Sequence, residues 1–180
     1  MRRLVDWLSI AGGWALVVYS FAVGVEIVGR RFLGFSLQGV DEYGGYLMAV
    51  VVALGFSCAL HDNAHIRIDL LLARLPRGLV TWLNVAALAG LVVFAGFLVW
   101  RAWVVLAQSA KMGAVSSTPL LTPMIAPQSL WIGCLVLFLV AAGWRLLRAL
   151  AQGVRGEAQA VADLAGSSSA RTVEAPGPER

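Results

Sequence analysis

Charged residues fall almost wholly outside four long apolar runs. Trp7 to Val25, Tyr43 to Leu60, Gly78 to Trp100 and Met124 to Trp144 contain no Asp, Glu, Lys or Arg. Each is close to the roughly 20 residues that cross about 30 Å of hydrocarbon at about 1.5 Å per residue. A helix satisfies its own backbone hydrogen bonds in lipid, so the runs predict an all-α polytopic membrane protein with interfacial amphipathic segments. The expected spans cover residues 7–28, 43–60, 78–100 and 124–144 within a transmembrane domain at 1–153.

Composition agrees with the pattern. Of 180 residues, 59% are hydrophobic and 13% charged, and the mean hydropathy is +0.80, far from a soluble domain. Met1-Arg2-Arg3 and Ala22-Val23-Gly24 have the look of a secretory leader and its cleavage site. The run between them exceeds the usual h-region of about 7–15 residues, so it is read as a retained anchor. Transporters and intramembrane enzymes usually keep costly polar groups inside their spans. The four runs hold no charge of that kind, which places any transport chemistry elsewhere.

Charge then sets orientation. With the N-terminus inside, the cytoplasmic flanks hold Arg2, Arg3, Arg67, Arg74, Arg77, Arg145, Arg148 and Arg155, and the outer flanks hold Arg30, Arg31, Arg101 and Lys111. The bias predicts both termini in the cytoplasm. The net charge of +4 is spread over separate loops, forms no single basic face and calls for no nucleic-acid partner. Six of the seven tryptophans, Trp7, Trp82, Trp100, Trp103, Trp131 and Trp144, lie toward run ends, where an amphipathic ring prefers the interface; Trp14 does not. Cys58 and Cys134 match no metal or redox spacing. The segment 154–180, with its Ser and Pro-Gly-Pro clusters, reads as a disordered cytoplasmic tail. No internal repeat supports an inverted-repeat carrier within the chain.

The loops carry the remaining chemistry. In the first, Phe32, Phe35 and Leu37 could dip into acyl chains while Arg30 and Arg31 reach phosphates, or the segment could dock another membrane subunit. Glu26 precedes Arg30 by four residues, the spacing of a salt bridge on a continuing helix. A deeper Glu26 would instead point to proton coupling, as in small four-helix exporters. Asp41 and Glu42 suit the N-terminus of the second span, where backbone N–H groups favour negative charge.

In the second loop, His61 and His65 have the i, i+4 spacing of a helical metal pair. Asp62 stands where a metalloprotease has Glu, and Asp69 is the nearest third ligand. Paired histidines also suit haem ligation, although both share one loop. The plainer reading is a polar turn, with Asp69 capping a short amphipathic helix that ends at Pro76. In the third loop, Pro119 and Pro123 stop the preceding helix, and Pro127 suits a first helical turn. Ala86 with Gly90, and Ala49 with Ala53, are small-residue pairs that permit close helix approach.

Taken in order, Val28-Gly-Arg-Arg-Phe-Leu-Gly, Asp41-Glu42-Tyr43, Gly55, His65-Ile-Arg-Ile-Asp69, Ser117-Thr-Pro119 and Pro127-Gln-Ser-Leu-Trp131 resemble the small membrane subunit of tripartite ATP-independent periplasmic (TRAP) transporters. The resemblance runs from about Leu4 to Arg148, and His-x-Arg-x-Asp is its most specific part. Between Pro123 and Pro127 the chain has Met-Ile-Ala where the family more often has a bulky aromatic.

The resemblance implies a multi-pass subunit of the bacterial inner membrane that is not an enzyme and holds no cofactor. It would support a large permease subunit that takes up organic acids, usually carboxylates, from a periplasmic substrate-binding protein, using a sodium or proton gradient through that partner. Carried over by position, Arg30 or Arg31, Asp41, Glu42, His65, Arg67 and Asp69 become subunit-interface or assembly residues, with Glu26 considered alongside them. The rival readings are a free-standing four-span exporter using Glu26, a four-span metalloenzyme using His61 and His65, and a haem-bearing anchor of a redox complex.

Overall fold

A computed structural model of the protein describes residues 2–35, 39–61 and 75–165. Helix α1 covers Arg2–Val28 and passes into a π-helical segment, Gly29–Leu33. Helix α2 covers Val40–His61, α3 Arg77–Met112, α4 Ile125–Val154 and α5 Ala158–Ala165. Among the described residues the only strand-like feature is an isolated antiparallel bridge between Val115 and Pro123. Among the described residues, four stretches are long and apolar enough to cross a membrane: Trp7–Leu33, Val40–His61, Gly78–Met112 and Ile125–Val154.

The helices outrun the charge-free runs that predict them. The third continues from Trp100 to Met112 and the fourth from Trp144 to Val154. Arg101, Gln108, Lys111, Arg145 and Arg148 interrupt the apolar pattern, but Arg, Gln and Lys are good helix formers, so they do not stop the helix. Glycines do. Gly113 has φ +58, and the amides of Gly113 and Ala114 turn back to the carbonyls of Ala110 and Ser109 at 3.4 and 2.9 Å. Gly156, with φ +75, closes α4 in the same way, through Gly156 to Gly153 and Glu157 to Gln152. Both are Schellman caps, in which a left-handed glycine satisfies the last carbonyls.

The chain divides into two compact units, one formed by Met1–Cys58 with Phe97–Phe138 and the other by Ala59–Gly96 with Leu139–Arg180. In the first, Ala53 and Leu54 of α2, Ala102 of α3, and Ile132, Cys134 and Leu135 of α4 form one buried cluster edged by Val50, Val99, Leu106 and Trp131. Val50 precedes Ala53 and Leu54 by three and four residues, Ala102 lies three after Val99 and four before Leu106, and Trp131 precedes Cys134 and Leu135 by three and four, the repeat of a single helical face. Phe56 and Phe138 add a tilted ring contact at 5.7 Å. In the second unit, Val85, Leu88, Ala149, Val161 and Ala165 are buried together.

The second cluster corrects the expectation of a disordered tail from residue 154. Val161 and Ala165 of α5, one helical turn apart, pack on α3 and α4, with Val161 fully buried. Small side chains let α5 approach closely, and a short Ala-rich segment escapes a search for long apolar runs. The part of the tail at 166–180 lies outside the described residues.

The outer surface stays apolar. Trp14 is 66% exposed, Phe21 77% and Trp103 61%, an arrangement suited to lipid or to another membrane chain, because single-chain burial accounts for few of these rings.

Candidate functional site

A polar site joins the start of α2 to the α3–α4 loop. Two short-range causes set its frame. Gly39 enters α2 with φ +96 and its carbonyl accepts the Tyr43 amide at 3.0 Å. A Cβ there would collide with Leu120, so Gly39 is required both by its backbone and by close packing. Gly44 is required by packing alone, since a Cβ would strike the Tyr19 ring and hydroxyl. With that space free, the Tyr19 hydroxyl donates to the Val40 carbonyl at 2.9 Å and ties α1 to the first turn of α2.

The loop folds back on itself through Ser116 N to Thr122 O at 2.9 Å and Met124 N to Ala114 O at 3.0 Å. That hairpin carries Ser116 and Thr118 to α2. The Thr118 hydroxyl donates to one oxygen of Glu42. The Tyr46 hydroxyl, one helical turn along, donates to the other at 2.8 Å and lies 3.3 Å from the Met124 sulfur. Ser116 Oγ lies 3.1 Å from Thr118 Oγ1 and accepts the Thr118 amide at 3.4 Å. Glu42 and Ser116 are buried. A carboxylate held by two hydroxyl donors is stabilised in place, because hydrogen bonds to an ionised acceptor are stronger than neutral ones. The arrangement clamps the α3–α4 loop to the first turn of α2.

Of the residues singled out from sequence, Asp41 and Glu42 do stand in the first turn of α2; Asp41 is exposed and Glu42 turns inward. Arg30 and Arg31 are exposed within the π-helical segment, while Glu26 is buried. The segment ends at Gly34, φ +63, with Phe35 N bonded to Gly29 O at 3.3 Å and the Phe35 ring against Gly29. His61 is the last residue of α2, and its carbonyl accepts Arg145 Nη2 at 3.3 Å, while Arg145 Nη1 reaches the Leu164 carbonyl at 3.3 Å. Arg145 thus bridges the ends of α2 and α5, satisfying carbonyls that a helix C-terminus leaves open. His65, Arg67, Asp69 and the helix expected before Pro76 lie outside the described residues. Among the described residues, no three His, Cys, Asp or Glu side chains gather as a metal site.

Tyr19, Tyr46 and Ser116 are anchors that sequence reasoning passed over, and Arg145 and Thr118 entered it only as a flank charge and as part of Ser117-Thr-Pro119. Two signals were present. Tyr46 follows Glu42 by one helical turn, and Ser116 and Thr118 are hydroxyls in the Ser-Ser-Thr run that precedes Pro119 in a loop of a largely apolar chain.

Four apolar helices, polar clamps at their ends and a surface of exposed rings define a multi-pass membrane protein. The family described as "Tripartite ATP-independent periplasmic transporters, DctQ component" matches residues 19–155, a range that takes in the Tyr19, Glu42 and Arg145 anchors. The chain belongs to that family, and so is a component of a TRAP transporter. No curated protein and no solved structure matches it.

Proposed function

We propose that the chain is the static small subunit of a TRAP-type secondary transporter, bracing a large permease subunit in the inner membrane with both termini in the cytoplasm. The large subunit carries the substrate and coupling-ion sites, and a periplasmic binding protein delivers an organic acid, a carboxylate in the first instance. Family membership over residues 19–155 supports the reading most directly. Its physical counterpart is the Glu42 site, where the carboxylate and hydroxyls engage one another to fix a loop. A carrier needs polar groups that exchange partners during transport.

Reconstitution tests this. The chain co-purifies with its large subunit, and proteoliposomes take up the carboxylate only when both subunits, the binding protein and an inward sodium or proton gradient are present. Uptake by this chain alone sinks the proposal. So does ion-driven uptake by the large subunit that is indifferent to this chain.

A further inference from the structure

Arg101 stands at an unusual depth. Its neighbour Ala102 is buried with Ala53, Leu54, Ile132, Cys134 and Leu135. Ala53 lies thirteen residues beyond Val40, where α2 begins, and Leu135 ten beyond Ile125, where α4 begins, so the level of Arg101 is about 15–20 Å inside these helix ends at about 1.5 Å per residue. With those helix ends at the boundary of a hydrocarbon layer about 30 Å thick, Arg101 lies near its middle. The same depth follows along α3, which continues eleven residues past Arg101 to Met112. The apolar pattern alone places Arg101, with Trp100 and Trp103, at the outer rim of the third span; the helix itself continues eleven residues beyond it.

Arg101 also points away from its own fold. It is exposed, as are Phe97 and Val105, the residues one helical turn before and after it. Its guanidinium lies 6.0 Å from the centroid of the Trp100 ring, and among the described residues it meets no carboxylate. A permanently charged guanidinium at mid-membrane is costly, and snorkelling to headgroups serves residues near helix ends. The aromatic face offsets only part of that cost. A planar fork of donors on an otherwise apolar stripe is complementary to a carboxylate on an apolar helix, which it can hold bidentately.

We propose that Arg101 forms an intramembrane ion pair with an Asp or Glu on a membrane-spanning helix of the large permease subunit, with Phe97 and Val105 packing on that helix to either side. The pair fixes the register of the two subunits at mid-membrane. This rests on the subunit reading above and adds a residue, a depth and a chemical partner to it.

The full chain is co-expressed with its large subunit, and the amount of large subunit recovered with it is measured. Arg101→Ala and Arg101→Glu lower recovery at least about tenfold, the scale expected when one member of a desolvated charge pair is removed. The yield and thermal midpoint of the chain itself hold, since Arg101 is exposed from its fold. A photo-crosslinking amino acid at position 97 or 105 captures a large-subunit segment containing an Asp or Glu, and changing that residue to Lys restores recovery with Arg101→Glu. Full recovery with Arg101→Ala, or crosslinks to lipid alone, overturns the ion pair while leaving the scaffold reading intact. A wild-type chain that recovers no large subunit overturns both.

Discussion

The Thr118 hydroxyl donates to the Glu42 carboxylate across 76 residues of sequence, joining the loop between α3 and α4 to the first turn of α2. Glu42→Gln keeps the shape but weakens an ionic acceptor, and Thr118→Val keeps the shape but removes the donor. Each lowers the unfolding midpoint of the purified chain in detergent by a few degrees. The double variant loses less than the two single losses together, since both remove one shared interaction. Strict additivity in that melt would show the contact to be energetically idle.

Gly44 and Tyr19 form a tighter pair. Any side chain at position 44 meets the Tyr19 ring, so Gly44→Val overpacks the contact at a cost of about 1–3 kcal/mol. Tyr19→Ser recovers much of that loss in the double variant by opening the space. The size dependence is diagnostic: thermal melts of the Ala, Val and Leu series at position 44 should fall in order of volume.

Helix α5 is held by burial of Val161 and by the Arg145 bridge. Val161→Ala gives up about 2 kcal/mol of apolar burial, and Val161→Asp detaches the helix because it places a charge among Val85, Leu88 and Ala149. Limited trypsin digestion reads this at Arg155, which precedes α5 in the α4–α5 turn. Cleavage there accelerates in Val161→Asp and in Arg145→Met, and stays slow in the parent chain.

The gross fold was legible because lipid imposes one rule on every span: long, apolar and helical. Four charge-free runs therefore located four helices, and Pro127 fell in the first turn of α4 as its missing N–H requires. The same rule misplaced the ends. A membrane helix can carry Arg101 or Arg145 and continue, and what stops it is a left-handed glycine such as Gly113 or Gly156. The Glu42 site was half legible. Asp41 and Glu42 signalled a helix start, but nothing local distinguishes an exposed cap from a carboxylate turned inward onto Thr118. That choice depends on a hairpin 76 residues away, fixed by Ser116–Thr122 and Ala114–Met124 backbone bonds. Helix α5 was illegible for a related reason: eight residues bury a Val and small Ala side chains against helices remote in sequence.

Orientation makes a prediction that needs no partner. Leu121 is 60% exposed at the hairpin, with φ +48, and Arg155 is exposed in the α4–α5 turn. With α4 spanning the bilayer, the two positions face opposite compartments. In a background with Cys58→Ser and Cys134→Ala, Leu121→Cys reacts with a membrane-impermeant maleimide added to intact spheroplasts, and Arg155→Cys reacts only after lysis. The reverse pattern would invert the topology inferred from the arginine distribution.

Glu26 separates the scaffold reading from the exporter reading. It is a buried carboxylate near the end of α1, beside a π-helical segment that carries exposed Arg30 and Arg31. An exporter that couples to protons through this group would lose transport on Glu26→Gln, because the amide cannot exchange a proton. A structural Glu26 instead needs only shape and hydrogen-bonding capacity, which Gln largely keeps. Binding-protein-dependent uptake by the reconstituted complex should stay within about twofold of the parent for Glu26→Gln, whereas Glu26→Ala lowers assembly by removing a buried polar side chain together with its interaction, at about 1–3 kcal/mol. Loss of uptake in Glu26→Gln with the complex fully assembled would move this residue from the frame of the subunit into the transport chemistry itself.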